Sequence, residues 1–89
     1  MPYIKPAVRE LLATGVKPSG SGELSFTITR VILDYLIGYG LTYQTINDIL
    51  GALTGAQLEF YRRIVVPYEE QKCKVNGDVY SWEQVGAEQ

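Results

Sequence analysis

Apolar side chains recur at helical spacing in the first half of the chain. Between Glu23 and Ile37 they stand at Leu24, Ile28, Val31, Ile32, Tyr35 and Leu36. This spacing places them on one face of an α-helix. The alternation of Leu24, Phe26 and Ile28 with β-branched and polar residues leaves a strand as the alternative. The helical period persists longer than the alternation and therefore favours a helix, which the Gly38–Gly40 segment ends.

A second, longer helical pattern follows, with two apolar stripes. Thr42 or Thr45 can cap this helix, and Thr45 opens a weak capping box that closes at Asp48. The helix can run to Val66, where Pro67 must kink or end it before one further turn. One stripe contains Ile46, Ile49, Leu50, Leu53, Ala56, Phe60 and Ile64, and the other contains Leu58, Tyr61, Val65 and Tyr68. A helix that is apolar on more than one side needs more than one neighbour.

The two long helices are expected to pack as an αα-hairpin, because the loop between them is short. At about 1.5 Å per residue, the first would span roughly 23 Å and the second roughly 35 Å. The first helix is then too short to cover the second, which leaves the region from Leu58 to Tyr68 open. We expect another copy of the chain, or the N-terminal arm folded back, to cover this region.

Shorter elements are predicted before the first long helix. Met1–Lys5 is expected to form an extended arm. Pro6 suits the first position of a short helix, Pro6–Ala13, with Gly15 as its stop. A flexible loop is predicted over Lys17–Gly22.

The C-terminal segment contains a turn signal at Asn76–Asp78. It fits either a hairpin or a helix C-cap at Gly77. Val79, Tyr80 and Trp82 are too apolar for a free tail, so we expect them to dock. Residues 1–82 are accordingly predicted to form a single helical domain, and residues 83–89 a frayed tail.

The composition limits the classes of function. A hydrophobic content of 46% is typical of a globular domain, and a net charge of −2 argues against general nucleic-acid binding. No apolar run reaches the roughly 18 residues that span a bilayer, so no membrane partner is expected. The N-terminus has no signal-peptide pattern. A lone cysteine and no export signal predict a cytoplasmic protein, in a bacterium or an infected host.

The side-chain inventory argues against catalysis. The chain has no histidine and one cysteine, Cys73. Ser-His-Asp and Cys-His catalysis are therefore excluded, as is a zinc site built on one cysteine. Glu59, Glu69 and Glu70 are too few and point in different directions to hold magnesium as helical nucleotide hydrolases do. We expect no enzymatic activity, no cofactor and no chemical role for Cys73.

Oligomerisation is predicted by elimination. An 89-residue domain buries little of its surface and is often supported by disulfides, metals or assembly. One cysteine makes no intrachain disulfide, which leaves assembly. Gly51 and Gly55, with Ala52 and Ala56, also give the small-residue spacing that lets helices approach closely.

Two adjacent arginines beside tyrosines are the best candidate for an anion site. One interpretation is a surface ion pair of Arg62 with Glu59 or Glu69, which contributes little to stability. The other is a pocket at a subunit junction, where guanidinium groups bind phosphates and aromatic faces stack a base. The candidate ligand-binding residues are Arg62, Arg63, Arg30, Tyr61, Tyr68, Asn47 and Thr29, with Tyr80 as a further stacking candidate.

Several short motifs resemble those of a family of small uncharacterised bacteriophage and prophage proteins. They are Met1-Pro2-Tyr3-Ile4 with Arg9, Gly22-Glu23-Leu24 with Ile28-Thr29-Arg30, Tyr61-Arg62-Arg63 with Pro67-Tyr68-Glu69, and Asn76-Gly77-Asp78-Val79-Tyr80. The resemblance implies a helical fold and a phage setting and supplies no function. Family members often have lysine where Gln57 stands, so a ligand role of that lysine would not carry over.

Together these features predict an all-α protein. It is expected to be an αα-hairpin with a short N-terminal helix and a docked C-terminal tail, assembling into a homo-oligomeric helical bundle. The predicted function is that of a non-enzymatic, phage-type binding protein that captures a negatively charged, nucleotide-like small molecule at a subunit junction. The alternative is a structural or assembly protein, or a protein that binds a host protein, with no small-molecule ligand.

Overall fold

The computed structural model describes residues 1–81 and 86, and all regular secondary structure in this part is helical. The elements are α1 (Pro6–Ala13), α2 (Gly20–Tyr39), α3 (Tyr43–Phe60), a π-helical segment (Tyr61–Val65) and α4 (Val66–Asn76). The predicted all-α class is confirmed. The chain divides into two compact units, Met1–Gly51 and Ala52–Gln89, with the boundary inside α3.

The N-terminal arm is held against α2 by Arg9 and Gly22. Arg9 Nε donates a hydrogen bond to the Ile4 carbonyl at 2.8 Å, and its Cζ lies 5.9 Å from the centroid of the Phe26 ring. A Cβ on Gly22 would lie 3.3 Å from Ile4 Cγ2 and from the Met1 carbonyl oxygen, so a larger residue there would push the arm outward by a few tenths of an ångström. The arm therefore packs on α2 within its own unit.

Helix α1 has the predicted bounds. Pro6 occupies its first turn, where the missing N–H would have no helical acceptor. Gly15 follows it with a φ of +99°, a conformation that glycine adopts without strain. Leu12 on this helix is 7% exposed.

Helix α2 is longer at both ends than the sequence predicted. The predicted loop Lys17–Gly22 is wrong in its last part, because the helix already begins at Gly20. Ser19 N–H donates to Glu23 Oε1 at 3.0 Å. The negative charge of this carboxylate also interacts favourably with the positive end of the helix dipole. Helix α2 then continues to Tyr39, and Gly40, with a φ of +86°, ends it. The strand alternative for this segment is thereby excluded.

Helix α3 starts at a threonine cap. Thr45 N–H donates to Thr42 Oγ1 at 3.1 Å, and the two hydroxyl oxygens also lie 3.1 Å apart. Thr45 is 3% exposed, so its hydroxyl depends on this contact. The predicted capping box from Thr45 to Asp48 is wrong, since Asp48 instead accepts hydrogen bonds from Tyr35 and Gln44.

Replacing the capping threonine should destabilise the first unit. Thr42→Ala removes the cap and leaves the buried Thr45 hydroxyl without this partner, so we expect a loss of about 1 kcal/mol in the free energy of unfolding. Urea unfolding followed by circular dichroism measures it. Thr27→Ala is the control, because its hydroxyl bonds only to the Glu23 carbonyl on the same helix. Equal losses in the two variants would contradict this role of Thr42.

The helix continues through Pro67 instead of ending there. Val66 N–H donates to the Tyr61 carbonyl, five residues back, which makes the turn before Pro67 π-helical. A proline ring clashes with the carbonyl four residues earlier in a regular α-helix, and a wider turn relieves this clash. Helix α4 then extends to Asn76, past the single further turn predicted.

Gly77 ends α4 as a C-cap. It has a φ of +91°, and its N–H donates to the Cys73 carbonyl at 2.9 Å. Of the two predicted alternatives, the helix cap is therefore right and the hairpin is wrong. Val79 and Tyr80 are exposed, so they do not dock on the described residues of their own unit. Trp82 and the predicted frayed tail, apart from Gly86, lie outside the described residues.

Few apolar residues are fully buried within residues 1–81 and 86. Leu12 is the one buried hydrophobic residue of this part, and Thr45 is its one buried polar residue. Both predicted apolar stripes remain open to solvent along much of their length; exposed members include Leu50, Leu53, Leu58, Phe60, Tyr61, Ile64 and Tyr68. None of the described helices combines the length and apolar content needed to span a bilayer.

Candidate functional site

Arg62 and Arg63 lie in the π-helical segment and share one carboxylate. Arg62 Nη2 lies 2.6 Å from Glu59 Oε2, whereas Arg63 Nη1 lies 3.9 Å from Glu59 Oε1. Both guanidinium side chains are 71% exposed, so these pairs contribute only about 0.2–1 kcal/mol each. The geometry matches the surface ion pair that the sequence suggested for Arg62. It also presents two cations close together on one exposed turn.

The two tyrosines predicted for the site are accessible on the same stretch of helix. Tyr61 is 57% exposed and Tyr68 is 56% exposed. Lys72 Nζ lies 5.7 Å from the centroid of the Tyr68 ring, a distance suited to a cation–π contact. Lys72 therefore occupies part of one face of Tyr68, and the Tyr61 ring offers the freer stacking surface.

The other predicted site residues belong to the Met1–Gly51 unit. Thr29 Oγ1 donates to the Ser25 carbonyl at 2.8 Å, so its proton is used within α2. Arg30 Nε lies 3.9 Å from Asp34 Oδ2, a loose pair one turn apart. Asn47 is exposed near the start of α3. Arg62, Arg63, Tyr61 and Tyr68 belong to the Ala52–Gln89 unit, and the gathering of all seven residues into one site stays a prediction.

A polar contact between α2 and α3 was missed at the sequence level. Tyr35 Oη donates to Asp48 Oδ2 at 2.8 Å, and the ring centroids of Tyr35 and Tyr39 lie 4.7 Å apart. The hydrogen bond to Asp48 is the main cause that raises the pKa of the Tyr35 phenol, followed by partial desolvation. The phenol therefore remains a donor at neutral pH and links the two helices. Counting Tyr35 only as a member of an apolar stripe concealed this partner.

Glu59 of α3 and the α4 residues Glu69 and Glu70 do not group as a metal site. Glu59 is engaged by the two arginines. Within the part of the chain that the structure describes, no three acidic or cysteine side chains group closely enough to hold a metal ion.

Cys73 is half-buried on α4, and its thiol is kept in the neutral form. Desolvation is the main cause that raises the pKa of Cys73, and the charge and hydrogen bond of Asp78 add to it. A thiol with a raised pKa has little thiolate at neutral pH and is a poor nucleophile. This environment supports the prediction that Cys73 has no chemical role.

We expect Cys73 to react with iodoacetamide at pH 7 more slowly than the same cysteine in an unfolded peptide. Asp78→Asn should speed the reaction, because it removes a charge that opposes thiolate formation. Alkylation rates measured by mass spectrometry test both statements. Cys73→Ser should leave the oligomeric mass unchanged. Faster alkylation than in the peptide, or loss of assembly in Cys73→Ser, would contradict the prediction.

The fold and the open helix faces define a small all-α protein without a large core of its own in the described residues. Residues 1–79 match the family described as Domain of unknown function (DUF6899), and the chain belongs to that family. No curated protein and no solved structure matches the chain significantly. The family description carries no activity, so the function has to be argued from the surface and chemistry of the chain.

Proposed function

We propose that the protein is a non-enzymatic assembly protein that works as a homo-oligomer, joined through the apolar stripes of α3, the π-helical segment and α4. One observation carries the proposal: Leu12 is the one buried hydrophobic residue in the described part of the chain, while both stripes are exposed. Burial of apolar surface contributes about 25 cal/mol per Å². The exposed members of the two stripes leave such surface for contacts between copies. The resemblance to phage proteins supports a bacterial or infected-cell cytoplasm as the setting.

The glycines of α3 support close packing against another helix. A Cβ built on Gly51 or on Gly55 meets no atom of the described residues within 4 Å. Neighbours among the described residues therefore do not require the glycines, although each costs about 1 kcal/mol relative to alanine in a helix. A helix of another copy that approaches this small-residue surface would account for them.

Light scattering of the wild-type protein at micromolar concentration tests the proposal. The expected mass is a multiple of the 9.9 kDa chain mass. A mass of one chain would contradict it. Native mass spectrometry of protein purified from infected cells gives the number of copies and detects a retained small molecule in the same measurement.

A second candidate function is capture of an anionic, nucleotide-like small molecule at a subunit junction. The observation that favours it is the convergence of Arg62 and Arg63 on Glu59 beside the exposed Tyr61. Guanidinium groups suit bidentate phosphate binding, and a tyrosine ring suits stacking on a base. Assembly would have to bring Arg30, Asn47 and Thr29 to the same junction. A phosphate would compete with the Glu59 carboxylate for both arginines.

A further inference from the structure

In the continuous helix formed by α3, the π-helical segment and α4, charges at equal distances before and after Val66 have opposite signs. Their order along the chain is Glu59, then Arg62 and Arg63, then Glu69 and Glu70, then Lys72 and Lys74. Arg63 and Glu69 lie three residues to either side of Val66. Arg62 and Glu70 lie four residues to either side. Glu59, seven residues before Val66, corresponds to the interval between Lys72 and Lys74.

From this order we propose that the face around Val66 binds a second copy of the chain in the antiparallel direction, about a two-fold axis at Val66. This inference rests on the proposed homo-oligomer. In such a pair, Arg62 and Arg63 lie beside Glu70 and Glu69 of the second copy, and Glu59 lies beside its lysines. A two-fold interface uses the same surface twice, so each opposite-charge pair forms twice.

The structure gives this stretch the continuity that such pairing needs. The π-helical segment and α4 follow α3 without an interruption, so residues Glu59 to Lys74 lie on one continuous helix. At about 1.5 Å per residue, measured along the helix from the two-fold axis, the Arg–Glu pairs lie roughly 5 Å away and the Glu–Lys pairs roughly 10 Å away. The apolar residues Tyr61, Ile64 and Tyr68 of the same stretch are exposed in the single chain.

The charges are available for contacts between copies. Every one of these seven side chains belongs to an exposed residue. Glu69 and Glu70 form no ion pair with a cation of residues 1–81 and 86, whereas Arg62 and Arg63 have only the exposed pairs to Glu59. A parallel pair would instead place each charge beside its own like-charged copy, which is unfavourable. The order of charges therefore selects a second copy in the antiparallel direction.

Charge reversal tests the pairing. The double variant Arg62→Glu/Arg63→Glu makes the centre of the proposed interface uniformly acidic. The double variant Glu69→Arg/Glu70→Arg makes it uniformly basic. Each double variant should raise the dissociation constant of self-assembly by roughly 30- to 100-fold, because attractive pairs become repulsive. The quadruple variant restores opposite charges at every position and should assemble like the wild type. Sedimentation equilibrium at 0.1 M salt measures all four proteins, and circular dichroism checks that each stays helical.

Mixing separates the two directions of pairing. In an antiparallel pair, wild type and quadruple variant place like charges together, so they should form separate oligomers in native mass spectrometry. In a parallel pair they would attract each other and mix. Free mixing, or double variants that assemble as tightly as wild type, would overturn the antiparallel pairing and leave the homo-oligomer standing. A monomeric wild type would overturn both.

Discussion

Tyr61→Glu should convert the assembled protein into single chains. Tyr61 is 57% exposed in the isolated chain, so a glutamate there remains solvated and the helix should persist. In an oligomer joined through this face, the same carboxylate is buried without a partner, at a cost of several kcal/mol. A cost of about 3 kcal/mol raises the dissociation constant more than a hundredfold. Sedimentation equilibrium, with circular dichroism to verify helicity, provides the measurement.

Gln57→Glu is the matched control for this variant. It adds the same charge one turn earlier on the same helix face, but at a residue that is already polar, so assembly should weaken less than in Tyr61→Glu. Val65→Glu should act in the same direction as Tyr61→Glu, although Val65 is half-buried and its variant also loses helix packing. If Tyr61→Glu keeps the wild-type mass, the apolar face around Tyr61 is not the interface.

Arg62→Ala and Arg63→Ala should each weaken anion binding at least about tenfold if the second candidate function holds. A charge-assisted hydrogen bond contributes roughly 1.5–3 kcal/mol, which corresponds to that factor or more. The two effects should differ, because Arg62 is held tightly by Glu59 at 2.6 Å and Arg63 only loosely at 3.9 Å. Calorimetric titration with a panel of cyclic and linear nucleotides measures both variants.

Glu59→Gln sharpens this test, because it removes the competing carboxylate and should tighten anion binding. Lys74→Ala is the matched control, since it removes an exposed cation that lies outside the predicted site. Binding weaker than millimolar to every nucleotide, or binding that survives both arginine substitutions, would leave the assembly function alone.

The sequence predicted helices well where local signals agreed. Helix α1 has its predicted bounds because Pro6 and Gly15 set the backbone conformation at its two ends without help from distant residues. The start of α2 was missed because Gly20 and Gly22 have low helix propensity, while the hydrogen bond from Ser19 to Glu23 holds the first turn in place. Propensity is a weak term that one capping interaction can override.

The π-helical turn was missed for a different reason. The general rule for Pro67 predicts a kink or an end, and it does not include the option of widening the preceding turn. The signal was present, since the apolar stripe that contains Tyr61 and Val65 continues to Tyr68 beyond the proline. A stripe that crosses a proline indicates that the helix does so too.

Side-chain partners were predicted less well than helices. Arg62 and Glu59 are one turn apart, so local spacing was sufficient to suggest their ion pair. Tyr35 and Asp48 are thirteen residues apart on different helices, and no local pattern joins them. The predicted grouping of Arg30, Asn47 and Thr29 with Arg62 joins residues far apart in the sequence, which local periodicity does not encode.

The widened turn also changes how the backbone meets water. In an α-helix the Arg62 carbonyl would accept a hydrogen bond from Val66, but Val66 donates to Tyr61. The next N–H along the chain would belong to Pro67, which has none. The Arg62 carbonyl thus loses its regular helical donor on an exposed turn and has to accept from solvent or from a donor on another molecule. The helix therefore has a backbone acceptor without a helical donor at the residue that begins the Arg62–Arg63 pair.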